Sequence, residues 1–226
     1  MDYFGIIEKN REKFLEFNEL KHQRFQELMP PQVRRVINAI PLLLSVNSKK
    51  LPGYVDGPVA CGICGYVPDD ETVRYFRARF PAMSIDTSAG TNYIEMLAVM
   101  GSVGTVAYNK KSDFDYWVCV DRHSVPAEQY NNLLAKVDAI QRWAIREIEV
   151  PVHLFVNDIS SIRRNIFAED DEEGFGSTIG AVLKDEFFRS SIIIAGKIPF
   201  WWVLPHFVKD EQYAEFFERL PDEMRE

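Results

Sequence analysis

Gly101-Ser102, ten further residues, then Asp113-Phe114-Asp115-Tyr116-Trp117-Val118-Cys119-Val120 is the stretch on which the reading of this chain turns. The run from Phe114 to Val120 is short, apolar and rich in aromatic and β-branched residues, as in a buried strand. Two carboxylates at i and i+2 of a strand point to one face, so Asp113 and Asp115 present their oxygens together. Burying two like charges is costly unless a cation shares them. An Asp-x-Asp in a solvated turn would need no such partner, but here the strand follows at once. Upstream, a Gly-Ser turn offers close backbone approach, N–H donors and a hydroxyl to phosphate oxygens. Asp113 and Asp115 are therefore the expected metal ligands, and Gly101 and Ser102 the expected phosphate contacts. These parts describe metal-assisted nucleotidyl transfer.

The flanking sequence supplies a frame for that centre. Tyr93–Met100 reads as the strand that delivers Gly101-Ser102. Ala127–Ile148 reads as an amphipathic helix, and 150–156 as a third strand with Val150, Val152, Leu154 and Val156 on one face. Its other face would carry Glu149, Pro151, His153 and Phe155. Beyond it the sequence predicts a short helix over 158–166, an acidic Gly-rich stretch over 169–176 and a helix over 177–196 opened by Ser177-Thr178. A last strand is expected over 200–204, with Trp201-Trp202 packing in the core. Before the centre, residues 3–29 have helical apolar spacing, Pro30-Pro31 stops that helix, and a second helix runs from Val33 to Leu44. Residues 45–68 form a long Gly/Pro-rich loop, after which Asp69-Asp70-Glu71 cap a helix ending near Phe80. The expected fold class is α/β (α+β): a small mixed sheet flanked by helices. Residues 1–45 form an N-terminal helical extension, 46–205 the catalytic domain and 206–226 a charged tail, the expected start of a C-terminal region absent from this chain.

Composition narrows the partners. The chain has 226 residues, 46% of them hydrophobic, and a net charge of −8, which speaks against a broad nucleic-acid-binding surface. An acidic protein that handles a polyanion needs metal ions and a few local cations. No apolar run is long enough for a membrane span, and the N-terminus lacks a basic region followed by an apolar one, so a cytoplasmic location is expected. Three cysteines fit a reducing compartment. Cys61-Gly62-Ile63-Cys64 has no second pair to complete a zinc site and reads as a Gly-containing turn.

A strand, a Gly-Ser turn, a second strand bearing Asp-x-Asp and a third strand after a helix resemble the core of the polymerase-β-type nucleotidyltransferases. A closer resemblance is to the class I (enterobacterial-type) adenylate cyclases. It is carried by Leu51-Pro52-Gly53-Tyr54-Val55-Asp56-Gly57, Gly62-Ile63-Cys64, Tyr66-Val67-Pro68-Asp69, Met100-Gly101-Ser102 and Ser112–Cys119. Gly176-Ser177-Thr178, Asp185–Arg189 and Ala195-Gly196-Lys197 extend it, so that it spans about residues 15–205. The resemblance implies conversion of ATP to 3′,5′-cyclic AMP and pyrophosphate, with the 3′-hydroxyl attacking the α-phosphorus of the same nucleotide. It implies Mg²⁺, with Mn²⁺ as the alternative, and a C-terminal regulatory region in longer members.

One departure bears on catalysis. Where such cyclases carry a Glu on the third strand, this chain has Pro151. Glu149, through a register shift, or His153, as base for the 3′-hydroxyl, are the candidates for the open place. Arg189 and Lys197, eight residues apart on one expected helix and so about 80° apart around it, are candidate triphosphate cations. Ser112 either bonds a phosphate or closes its turn; Lys110 and Lys111 read as a solvated loop. Two other readings remain open: transfer of AMP to an external acceptor, and a nucleotide-binding module without catalysis, which Pro151 favours.

Overall fold

A computed structural model describes residues 3–81, 90–103, 105, 107–163 and 185–220. In chain order these form α1 (Tyr3–Leu28), α2 (Pro31–Ser45), α3 (Asp70–Arg79), β1 (Ile94–Met100), β2 (Phe114–Val120), α4 (Ala127–Ile148), β3 (Val152–Asp158) and α5 (Ile159–Arg163). A helical segment, α6 (185–190), precedes β4 (Ile192–Gly196). A 3₁₀ turn at Phe200–Trp202 and α7 (Tyr213–Glu218) follow. The four strands lie in the order β3-β2-β1-β4. β1 is antiparallel to both β2 and β4, while β3 runs parallel to β2, so the sheet is mixed and flanked by helices as expected.

Strand alternation divides the sheet's two faces. Phe114, Tyr116, Val118 and Val120 meet Leu97 and Val99 in the main core beneath α2 and α4. On the other face Trp117 and Cys119 join Met96, Ala98 and Met100. There Trp117 stacks on Phe187 of α6 at 4.4 Å, and Phe187 stacks on Trp202 at 5.4 Å. Trp202 is thus a packing residue. Asp115 belongs to this second face, at its end.

The 45–68 loop is fastened to α4 rather than draped over it. Lys136 is fully buried and its Nζ donates to the carbonyls of Val46 (2.8 Å) and Gly53 (3.1 Å). Burial pushes this ammonium group down to about 8. Gly53 has φ +79°, and a Cβ there would stand 2.4 Å from Cγ1 of Ile140, so only glycine lets the loop lie this close.

α1 buries little, with Ile7 and Phe25 its buried residues. Polar side chains add to its hold. Asn18 donates to the carbonyl of Ile193 (2.9 Å) and accepts from its N–H (2.8 Å), pairing with the β4 edge as a strand would. Gln26 and Asn38 exchange two side-chain hydrogen bonds between α1 and α2.

Four sequence expectations need correction. The helix predicted over 177–196 does not continue to its end: after α6, Ile192–Gly196 forms a strand, with Ile192 and Ile193 opposite Val99 and Ala98 of β1, as three consecutive β-branched residues at 192–194 favour. Residues 200–204, set between Pro199 and Pro205, make a 3₁₀ turn and no strand. The third strand starts at Val152, because Glu149 caps α4 in the left-handed conformation (φ 55°) and is not strand. Asp158 closes β3 and is not the first residue of a helix. The acidic stretch over 169–176 and the Ser177-Thr178 helix start lie outside the described residues, as do residues 164–166 of the short helix.

Candidate active site

Antiparallel pairing sets Met100 opposite Asp115, so the Gly101-Ser102 turn leaves β1 beside that carboxylate. Gly101 has φ +95°, and a Cβ added there would lie 3.9 Å from Oδ2 of Asp115. The turn is braced from outside the hairpin. The Gly101 N–H donates to Ser190 Oγ (3.0 Å), whose own hydroxyl donates to the Glu186 carbonyl (2.9 Å). Gly101 therefore spends its N–H on α6. The Ser102 carbonyl accepts from the N–H and hydroxyl of Thr105, at 3.1 and 2.6 Å, which closes the following turn.

Parallel pairing completes a row across three strands: Met100, Asp115, His153. Paired residues on neighbouring strands share a face, so His153 stands beside Asp115 over the second face of the sheet. The Phe114 N–H donates to the Pro151 carbonyl at 3.0 Å, which sets Pro151 beside Asp113, one step outside the row. The place that Pro151 leaves without a carboxylate is thus next to Asp113, and His153 is two residues further in.

Asp115 is half-buried, and burial is the main influence raising its carboxyl above the ordinary range. The charges of Asp113 and Glu186 push it the same way, and His153 opposes them. Glu186 is a component that sequence reasoning missed as a site residue. Its place four residues before Ser190 puts it on the helix face that meets Gly101, a meeting that only the docking of α6 creates.

The other expected residues are arranged differently. Glu149, exposed at the end of α4, lies outside the Asp115 row. Arg189 is exposed and pairs with Asp185 at 2.8 Å, on the outer side of α6. Lys197 follows β4 and pairs with Glu95 at 2.9 Å, about 17 Å along β1 from Met100. It is not on a helix with Arg189. Ser112 Oγ accepts from the Asn109 N–H at 3.0 Å and closes its own turn.

Among the described residues, no group of three or more His, Cys, Asp or Glu side chains could hold a metal ion by itself. Asp113 and Asp115 offer hard oxygen donors, and no cation among the described residues pairs with either.

Residues 6–202 match the family described as "Adenylate cyclase NT domain". An adenylate cyclase of Yersinia pestis is 30% identical over 212 residues, covering 92% of this chain and 24% of the relative. Those of Shigella flexneri and Escherichia coli (strain K12) are each 31% identical over 217 residues, covering 95% of this chain and 25% of the relative. The chain thus spans about a quarter of the length of these curated relatives. No solved structure matches it. With a matched region that takes in the Gly-Ser turn, both aspartates and α6, the chain belongs to the adenylate cyclase N-terminal domain family.

Proposed function

We propose that this chain carries the catalytic centre of an adenylate cyclase, converting ATP to 3′,5′-cyclic AMP and pyrophosphate on a polymerase-β-type nucleotidyltransferase frame. The observation that carries the reading is the row Met100–Asp115–His153 with Gly101-Ser102 at its edge, in a chain whose relatives are named adenylate cyclase. Asp113 and Asp115 would hold Mg²⁺, or Mn²⁺ in its place. Bound there, the metal supplies neutralising charge to the triphosphate and acidifies the attacking hydroxyl.

The chain's own residues do the rest. Ser102 donates its hydroxyl to a phosphate oxygen, in a turn that Ser190 keeps fixed. His153, on the same face as Asp115, accepts the proton of the ribose 3′-hydroxyl at a ring nitrogen. Folding one nucleotide so that its hydroxyl meets its own α-phosphorus removes the entropy cost of a second substrate. His153 suits this role better than Glu149, which lies outside the strand.

Incubation with ATP and Mg²⁺ alone tests the reading. Cyclic AMP and pyrophosphate should form in equal amounts without an acceptor. ATP consumption only after an acceptor is added would instead indicate AMP transfer. Pro151, beside Asp113 where a third carboxylate would stand, favours a different second reading, a nucleotide-binding module without turnover. ATP binding with no product under any metal would establish that one.

A further inference from the structure

On the other side of the sheet from Asp115, a cavity of about 500 Å³ opens between α4, the end of α3 and the 49–53 loop. Five cationic side chains line it: Lys49 and Lys50 from the loop, Arg79 from α3, Arg142 and Arg146 from α4. Glu147 is the one carboxylate among the described lining residues. It pairs with Arg79 at 2.8 Å, and Asp138 pairs with Arg142 at 2.9 Å from α4 itself. No carboxylate among the described residues pairs with Lys49, Lys50 or Arg146. The local excess of positive charge is opposite in sign to the chain's net charge of −8.

Helix dipoles account for part of this pattern. Arg79 and Arg146 sit in the last turns of α3 and α4, where a cation is favoured for its own sake. They do not account for Lys49, Lys50 and Arg142 converging on the same space. The loop that brings the two lysines is also anchored: Lys136 holds the carbonyls of Val46 and Gly53, on either side of them, and Gly53 packs directly on Ile140. Cations placed in advance on two rigid supports lose less entropy when they meet an anion. Arginine adds forked donors matched to phosphate oxygens.

We propose that this cavity is a second anion site, separate from the catalytic centre, that takes a compact ligand carrying two or more linked phosphates. Its size lies within the range of small-molecule sites, roughly 300–1,000 Å³. The cavity helix also touches the catalytic layer: Gln141, beside Arg142, accepts the N–H of Leu154, the residue after His153, at 3.0 Å. The proposal does not depend on the cyclase reading.

Calorimetric titration of the whole chain with inorganic tripolyphosphate, in EDTA and low salt, tests it. One saturable site is expected, weakened about tenfold or more by Arg142→Ala/Arg146→Ala and by Lys49→Ala/Lys50→Ala, and retained in Asp113→Asn. All four substituted cations are exposed, and melting temperatures within a few degrees of wild type would show that the variants fold. Titration with ATP under the same conditions identifies the source of the phosphates. ATP binding lost in the same variants assigns the site to a nucleoside triphosphate; tripolyphosphate binding alone assigns it to an inorganic oligophosphate. Absence of saturable binding, or equal affinity in wild type and both double variants, overturns the proposal.

Discussion

At Asp115 burial opposes ionisation, the charges of Asp113 and Glu186 add to that opposition, and His153 alone works against it. A carboxyl raised in the folded state binds its proton more tightly there than in the unfolded chain. Its contribution to stability is therefore fully present below the unfolded value, near 4, and is lost as pH rises through the raised folded value. At neutral pH without metal the charge is a liability. Asp115→Asn should accordingly raise the melting temperature of the metal-free protein at pH 7, while abolishing the further rise that Mg²⁺ and ATP give the wild type. A lower melting temperature in the variant would count against this electrostatic account. His153 is open to a separate check. Changing it to Gln should cut kcat about 100-fold or more with little change in KM for ATP, as for a group that acts on a proton and not on binding. Steady-state kinetics that show a raised KM and an intact kcat would remove it from that role.

Among the elements, β3 and its exit show how one side chain joins two segments. Asp158 Oδ1 accepts the Arg122 N–H at 3.0 Å, and Oδ2 accepts the Ser161 N–H at 3.1 Å, the Ser161 hydroxyl at 3.0 Å and the Ser160 hydroxyl. Partial burial would raise this carboxyl, but the hydrogen bonds outweigh it and hold it down to about 2. Its contribution is present above the unfolded value near 4 and is lost as pH falls through about 2. Asp158→Ala should cost about 1–2 kcal/mol in urea unfolding at pH 7, as for a lost helix N-cap, and much less at pH 2. An equal cost at both pH values would contradict it. The same region marks what sequence could reveal. β2 was legible because its apolar run is bounded by aspartates, and α4 because its apolar face repeats at helical spacing. β4 was not legible, since Ile192–Gly196 adjoins a helical segment and its pairing with β1 is a long-range event. Asp115 could be placed on β2 from the sequence, but Asp113 is exposed and precedes the strand, which begins at Phe114, so the burial expected of both aspartates is met in part by Asp115 alone. Glu186 could not be placed, because its approach depends on α6 docking against the Gly101 turn.

Across the whole molecule, one core runs from Phe25 of α1 through α2, β1, β2 and α4 to Val152 of β3, so the N-terminal helices are built into the sheet's packing. α1 adds a second task, covering the β4 edge through Asn18. Asn18→Ala should leave the N–H and carbonyl of Ile193 without these partners, costing about 1–3 kcal/mol and speeding amide exchange in β4 more than in β2. Unchanged exchange in β4 would show that α1 does not guard that edge. No helix among the described residues is long and apolar enough to cross a membrane. On the proposed cyclase reading, the chain's net charge of −8 calls for metal ions and a few placed cations to meet the charge of ATP, and the Asp115 row is where they would act. The most direct measurement is acceptor-free cyclic AMP formation by the wild-type chain and by Asp115→Asn in parallel, at saturating ATP and Mg²⁺. The wild type should release cyclic AMP and pyrophosphate in equal amounts, and the variant should be about 100-fold slower or worse, a loss of about 2.7 kcal/mol in transition-state stabilisation. Equal rates from the two proteins, or ATP consumed by the wild type with no cyclic AMP, would contradict the account.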